Sequence, residues 1–423
     1  MTNGRPLVAG AADVLVAGAG LAGLAAALGF ARAGFNVVLS GAGERTGRGR
    51  TVALLDSSVG FLDSLGLWTQ LRTEASPLKS LRLIDDTRSL FPSRPVEFHA
   101  AEIGLDAFGW NIDNDTMAQA LAAEAARAPH LARAASVVAY DFGADFVRAR
   151  LEDGRTVSAR LAVGADGRYS NARRAAGLEA RGHAYGQSAL TAFVAHRLPH
   201  RGFSTEFHTR GGPFTLVPLP ASAAASHRSS LVWVMAGADA RRRAALDDEA
   251  LAGEIERQAQ SLLGAMRIEG ERGIFPLTRQ IVPTIVVRRL ALVGDAAHVI
   301  PPIGAQGLNL GLRDVAAIVA CALEARNGGQ DIGGPEVLAD YERARRADIA
   351  LRMGVVDGLN RSLLTHFAPL DLARGAALAG LGAIGPLRRF VMREGVGPHM
   401  LRRAFQSSGP ASPPPAARER RPK

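Results

Sequence analysis

Gly18-Ala-Gly20-Leu-Ala-Gly23 stands between a short apolar run, Asp13-Val-Leu-Val-Ala17, and an Ala/Leu-rich stretch, Leu24 to Ala33. Gly34-Phe-Asn then turns the chain into a second apolar run, Val37-Val-Leu39. Strand, glycine turn, helix and strand make a complete β-α-β unit, which commits the chain to a parallel sheet flanked by helices. Gly18 permits the tight turn, Gly20 lets a pyrophosphate approach the backbone, and Gly23 lets the helix pack on the strand. Val14 to Ala31 is uncharged and apolar, so hydropathy alone would pass it as a signal or membrane segment. Four glycines interrupt it, Asp13 precedes it, and no basic n-region leads it. A dinucleotide site explains those glycines and a membrane span does not. The unit departs from the pattern at one position. Where an acidic residue should end the second strand and grip ribose hydroxyls, the chain has Ser40, with Glu44 four residues on.

A second glycine-rich stretch runs from Gly294 to Asp314 and follows the apolar Leu290-Ala-Leu-Val293. Gly294-Asp295 ends a buried strand, and Pro301, Pro302, Gly304 and Gly307 prevent regular structure. From about Leu308 the pattern turns helical, with Leu308, Leu312, Val315 and Ala316 on one side. A helix N-terminus behind a glycine loop suits an anionic or carbonyl-rich ligand. A third stretch, Leu161-Ala-Val-Gly-Ala-Asp166-Gly167-Arg168-Tyr169-Ser170-Asn171-Ala-Arg173, places Asp166 at a strand end and Ser170 where it can cap a helix.

As a set, these stretches resemble the FAD-dependent aromatic hydroxylases, the group that contains p-hydroxybenzoate hydroxylase. The end Gln306-Gly-Leu-Asn-Leu-Gly-Leu-Arg-Asp314 most resembles the UbiH/UbiF-type hydroxylases of ubiquinone biosynthesis. Arg50-Thr-Val-Ala-Leu54 is similar to the family's R-T-x-A-L, and Gly109-Trp-Asn-Ile112 with Asn114 to its G-x-x-I-x-N. The resemblance covers about residues 12–405. It implies an α/β fold: a Rossmann-like FAD-binding domain, an interleaved antiparallel-sheet substrate domain and a C-terminal helical section. It implies FAD contacts from Gly18, Gly20, Leu21, Ala22, Gly23 and the Ser40 position, then from Arg50, Asp166 and Gly167. In the third segment it implies Gly294, Asp295, Pro302, Gly304, Gln306, Gly307, Leu308 and Asn309. Asp295 would hold the ribityl chain and the Pro302 carbonyl would lie near the substrate hydroxyl. Asp166-Gly167 is also linked in the family to the reduced nicotinamide cofactor. The activity implied is hydroxylation of a phenol ring with NAD(P)H and O2.

The expected division is 12–79, 105–182 and 284–330 for FAD, with 80–104 and 183–283 for the substrate sheet. Residues 331–405 read as C-terminal helices and 406–423 as a Ser/Pro/Arg tail. Pro92 and Pro95 mark the strands of 80–104 as edge strands. Val137 to Arg150 and Leu151 to Ser158 read as two strands, with Asp153-Gly154 a hairpin signal. Asp247 to Met266 reads as one amphipathic helix, with Arg241-Arg-Arg243 a solvated helix start.

Composition bounds the rest. Net charge is +10, yet the only lysines are Lys79 and Lys423, and the arginines are scattered among three Trp and four Tyr. That argues against nucleic acid and for an affinity for anionic surfaces. Cys321 is the sole cysteine, which fits a reducing, cytoplasmic setting. No second dinucleotide fingerprint, no C-x-x-C and no metal-ligand spacing occur, and His298 lacks partnered ligands. No catalytic base is assigned.

Three functions stay open. One is hydroxylation of a prenylated phenol in ubiquinone biosynthesis. It suits the arginine-bearing apolar segments of 370–405, which either lie on the inner face of a membrane or pack on their own domain. Another is hydroxylation of a small soluble aromatic, favoured by the Pro301-Pro302-Ile-Gly-Ala-Gln-Gly sequence. The third is a flavoprotein scaffold in a biosynthetic complex, for which Ser40 speaks.

Overall fold

The computed structural model describes residues 12–42, 49–87, 94–301, 306–364, 380 and 383–396. The first of its sheets has a parallel core in the order Leu290–Leu292, Thr156–Gly164, Ala12–Ala17, Val37–Ser40 and Leu131–Ala134. Ala12–Ala17 lies between partners on both sides and carries apolar residues on both faces, as a covered parallel strand must. Val14 and Val16 join the main core, while Leu15 meets Val38, Ala149 and Ala159 on the other face. Helices Leu21–Arg32, Asn114–Arg127 and Gln306–Asn327 bury Leu24, Leu28, Leu121 and Ile318 in that main core.

Residues 137–164 differ from expectation. They form three strands, Val137–Phe142, Val147–Leu151 and Thr156–Gly164, joined as a meander. A first hairpin closes where the Gly143 amide donates to the Phe146 carbonyl at 3.0 Å. The expected second one turns at Gly154, with φ +85°.

The second sheet runs in the order His298–Val299, Met266–Ile281, Arg181–His196, Arg228–Ala236, Gly212–Leu219, Phe203–Thr209, Ser80–Asp86 and Val96–His99. One face carries Phe207, Phe214, Leu231 and Trp233, which pack with Leu251 and Ile255 of helix Asp248–Gln258. That helix is shorter than the sequence suggests. Gln260 and Ser261 take φ of +53° and +51°, which ends the helix before the long strand begins at Met266. Arg241 to Arg243 close helix Gly237–Ala244 and do not open one; Arg242 and Arg243 each pair with Glu254 at 2.9 Å.

A small third sheet, Thr51–Leu55, Gly109–Asp113 and Ala75–Pro77, joins the two large ones. Asn111 Nδ2 donates across to the Pro218 carbonyl at 2.9 Å. Helix Pro335–Leu364 lies against Gln306–Asn327 and buries Tyr341, whose hydroxyl donates to Leu292 at 2.7 Å. Helix Gly385–Val396 rests on the outer strands of the second sheet. Met392 packs on Val96 and Phe98, and Arg388 reaches Glu102 at 2.7 Å. Among the described residues no helix is long and apolar enough to cross a membrane.

Candidate active site

A cleft of about 380 Å³ opens between the two large sheets. Its floor comes from three strand ends of the parallel sheet. Gly20, Leu21 and Ala22 open the first helix, Gly167 follows the Thr156–Gly164 strand, and Gly294 and Asp295 follow Leu290–Leu292. Gly307, Leu308 and Gly311 add the first turns of the long helix. Ala189, Thr191, Val232, Phe275 and Leu277 of the second sheet form the roof. Arg50 and Asn114 stand at the side, in positions set by the small third sheet.

The glycines of the first loop divide by cause. A Cβ on Gly18 would lie 2.3 Å from the Ala165 carbonyl, and one on Gly23 would lie 1.8 Å from the Gly18 carbonyl. Those two glycines are required by the protein itself. A Cβ on Gly20 would meet nothing within 4 Å. Gly20 is also the N-cap of helix Leu21–Arg32, and no side chain caps that end. Open space above an uncapped helix N-terminus fits a pyrophosphate, which would take the free N–H groups. Asn114 makes the same point from the side: it is 6% exposed, lines the cleft, and its Oδ1 has no partner. These residues fit FAD.

Arg50 faces the cleft with its guanidinium 4.7 Å from the centre of the Phe275 ring. Desolvation by the cleft walls pulls its pKa down, and the charge of exposed Asp295 opposes that pull. Floor and side wall therefore present opposite charges to one space.

Other residues named from the sequence serve the frame. Ser40 is 1% exposed and its hydroxyl donates to the Ala135 carbonyl at 2.7 Å. Asp166 stands between Ala165 and Gly167 of the cleft lining, and its Oδ1 is buried without a partner. Its Oδ2 accepts from the amides of Asn171 at 2.7 Å and Ala172 at 3.0 Å, capping a short helix. Asn309 is fully buried and ties the long helix to strand Thr51–Leu55. Its Oδ1 accepts from Leu55 N at 2.9 Å, and its Nδ2 donates to Ala53 at 2.7 Å. Gln306 accepts from Arg352 Nη1 at 2.8 Å. Pro302, Gly304 and Glu44 lie outside the described residues.

Sequence reasoning missed the group that holds the Gly294 loop. Asp314, fully buried, accepts from Gly294 N at 3.0 Å, His298 Nε2 at 2.6 Å and Arg345 Nε at 2.8 Å. Burial alone would raise its pKa, but the charges of His298 and Arg345 and their hydrogen bonds bring it below the usual carboxylate value. Arg345 continues to Asp348 at 2.7 Å, and Arg352 links Asp348 to Gln306. Burial pulls neighbouring Arg313 down to about 10. Arg173 is a second missed clamp: it donates to the carbonyls of Ala296 at 3.0 Å and Arg168 at 2.9 Å, joining two of the floor loops.

A parallel sheet with three glycine-bearing strand ends on one cleft, under an antiparallel roof, defines a flavin-type dinucleotide enzyme. The family model described as FAD binding domain matches residues 11–353, and the chain belongs to that family. It is similar to the ubiquinone hydroxylase UbiL of Rhodospirillum rubrum, 37% identical over 91% of this chain and 90% of that protein. It is also similar to 3-demethoxyubiquinol 3-hydroxylase of Escherichia coli, 30% identical over 91% of this chain and 98% of that one. Among solved structures, p-nitrophenol 4-monooxygenase PnpA of Pseudomonas putida has the same fold. Its TM-score is 0.75 at 20% identity, covering 92% of this chain and 99% of that one. The chain is an FAD-dependent monooxygenase.

Proposed function

We propose that this monooxygenase hydroxylates a (poly)prenylated phenol ring in ubiquinone biosynthesis, with NAD(P)H as reductant and O2 as oxygen donor. The observation that carries the reading is the cleft itself: a dinucleotide floor facing an apolar roof of Ala189, Val232, Phe275 and Leu277. The names of the two ubiquinone hydroxylases above supply the substrate class. FAD, when bound, would carry the electrons from NAD(P)H and deliver one oxygen atom of O2 to the ring. The chain's own residues do the positioning. The N–H groups after Gly20 and the Arg50 cation would hold the pyrophosphate region, and Asp295 the ribityl hydroxyls. The roof side chains exclude water and lay an aromatic ring flat over the floor.

The division of the chain follows the same reading. Residues 12–79, 105–182 and 284–330 serve the cofactor, and 80–104 and 183–283 the substrate. A prenylated substrate also places the enzyme at the inner face of a membrane. Helix Gly385–Val396 supports this, because Leu387, Phe390 and Val391 are exposed beside the face that docks through Met392. Membership of a biosynthetic complex belongs to the same proposal.

The test is the precursor profile of a deletion strain, with substrate-dependent NAD(P)H oxidation by the purified yellow protein. Accumulation of a prenylated phenol lacking one ring hydroxyl is expected. Normal ubiquinone in that strain, with turnover only on small soluble phenols, would overturn the reading.

A further inference from the structure

The roof sheet extends well beyond the cleft, and strand register carries its cleft face outward. Val232 lines the cleft and pairs with Thr215, Thr215 with Glu206, Glu206 with Leu83, and Leu83 with Val96. Side chains directly across adjacent strands share a face, so Val96 lies on the cleft side of the sheet. Four strand spacings of about 4.8 Å put it about 19 Å from Val232. Met392 of helix Gly385–Val396 packs on Val96 and Phe98, with Leu81 and Leu83 beside them. The helix therefore sits on the same face of the sheet as the cleft. Val232, Thr215, Leu83 and Leu81 are each partly exposed along the way.

One side of this helix is spent on the domain: Arg388 and Met392, one turn apart, hold Glu102 and the Val96 cluster. Another side is left in water. Arg388 N donates to the Ile384 carbonyl at 3.0 Å, so the helical turn already includes Ile384. Ile384, Leu387, Phe390 and Val391 then recur at helical spacing and form one stripe, between 41% and 62% exposed. The described residues show nine exposed large apolar side chains, and four of them are in this stripe, so it is a patch and not scattered exposure. Arg393 lies one turn beyond Phe390, with Arg389 one turn before Arg393, so the stripe has a cationic edge. Neither arginine has an ion-pair partner among the described residues. Exposed Arg94, two residues before Val96, adds a cation at the same end of the sheet. An apolar stripe edged by unpaired arginines fits an anionic bilayer: the stripe enters the acyl boundary and the guanidinium groups meet lipid phosphates.

We propose that the stripe of Ile384, Leu387, Phe390 and Val391, with Arg389 and Arg393, is the contact with an anionic lipid bilayer, and that it sets the cleft face of the roof sheet toward that bilayer. The inference deepens the prenylated-substrate reading above and rests on it. The ring enters the cleft while the far end of its tail stays among the lipids. A tail of several isoprene units spans the distance from Val232 to the helix, and a single unit does not. Long-tailed substrates therefore depend on the helix and short, soluble ones do not. Arg388 and Met392 act differently from the stripe: they fix the helix to the sheet, so that lipid contact orients the whole domain.

The test mixes the full-length, FAD-loaded protein with vesicles of phosphatidylcholine, with or without phosphatidylglycerol. Co-sedimentation is expected with phosphatidylglycerol and should weaken as salt is added. Leu387→Gln with Phe390→Gln should weaken binding at least about tenfold, because two apolar side chains leave the bilayer. Arg389→Gln with Arg393→Gln should weaken it at least about tenfold and erase the preference for phosphatidylglycerol. Turnover of a long-tailed polyprenyl phenol in those vesicles should fall with binding in both variants. Turnover of a soluble phenol bearing one isoprene unit should match the parent's. A parent that ignores phosphatidylglycerol vesicles, or variants that bind them as the parent does, would overturn the inference. Equal losses on both substrates would overturn it as well, since they would mean a purely structural role. So would a lipid-free dimer that Leu387→Gln with Phe390→Gln breaks apart, which would give the stripe to a second copy. A parent that binds vesicles through this helix yet turns over no phenol would instead overturn the proposed function.

Discussion

Replacing Arg345 by methionine tests whether the Gly294 loop is held by charge. Asp314 is fully buried, and Arg345 is its only arginine partner among the described residues. Two unit charges about 4 Å apart at an effective dielectric of about 20 attract by about 4 kcal/mol. Removing one partner of such a pair costs about 3–5 kcal/mol, because Asp314 stays buried with only His298 and the Gly294 amide left to hold it. Unfolding entropy of about 2.1 cal/mol/K per residue over 423 residues is about 0.9 kcal/mol per degree. Arg345→Met should therefore lower the Tm by about 3–6 °C in calorimetry. Asp314 has a folded pKa below its unfolded value, so its contribution is present above an unfolded pKa of about 3.9 and lost as pH falls through the folded one. The gap between parent and variant should be full at pH 7 and close below about pH 4. A companion variant, Asp314→Asn with Arg345→Met, removes the stranded charge and should be less destabilised than Arg345→Met alone. Strict additivity of the two substitutions would refute the reasoning, since it would mean the two side chains do not interact.

Gly20 and Gly23 should fail in different ways. The Cβ of Gly20→Ala meets no protein atom within 4 Å, so the FAD-free Tm should stay within about 1 °C while FAD affinity falls at least about tenfold, or 1.4 kcal/mol. Gly23→Ala drives a Cβ into the Gly18 carbonyl and should destabilise the protein with or without FAD; fluorescence titration and thermal melting separate the two. Ser40→Glu, which restores the acidic residue of the usual pattern, should destabilise the protein by several kcal/mol and should not tighten FAD binding, because the position is 1% exposed. A stable variant with tighter FAD would show that the strand end can turn outward.

What could be read in the sequence was what the backbone does locally. The turn at Gly18, the hairpin at Gly154 and the Ser170 cap, whose Oγ accepts from Arg173 N at 3.0 Å, are each decided within a few residues. The meander at 137–164 escaped because its first turn, around Gly143, has no paired turn signal like Asp153-Gly154. Roles of single polar side chains escaped for another reason. Asp166 and Asn309 sit in the right loop and helix, but rotamer and neighbour decide whether a carboxylate or amide faces ligand or backbone. In both, backbone amides of the chain itself claim the side chain.

The roof escaped because its face is set by strand register. Glu206 and Val232 are separated by 26 positions in sequence and two strand spacings in the sheet, and no local pattern joins them. The same holds for Asp314 and Arg345, on separate helices. A cofactor that binds through backbone N–H groups imprints glycines at fixed spacing, so the floor is legible from residues 20, 167 and 294 alone. A substrate bound by side chains across a sheet imprints only a face, and that face has meaning only once the strands are paired. Sliding the Phe203–Thr209 strand by one residue would put Phe207 on the sheet face that Glu206 and His208 now hold, with no change in composition or in any motif.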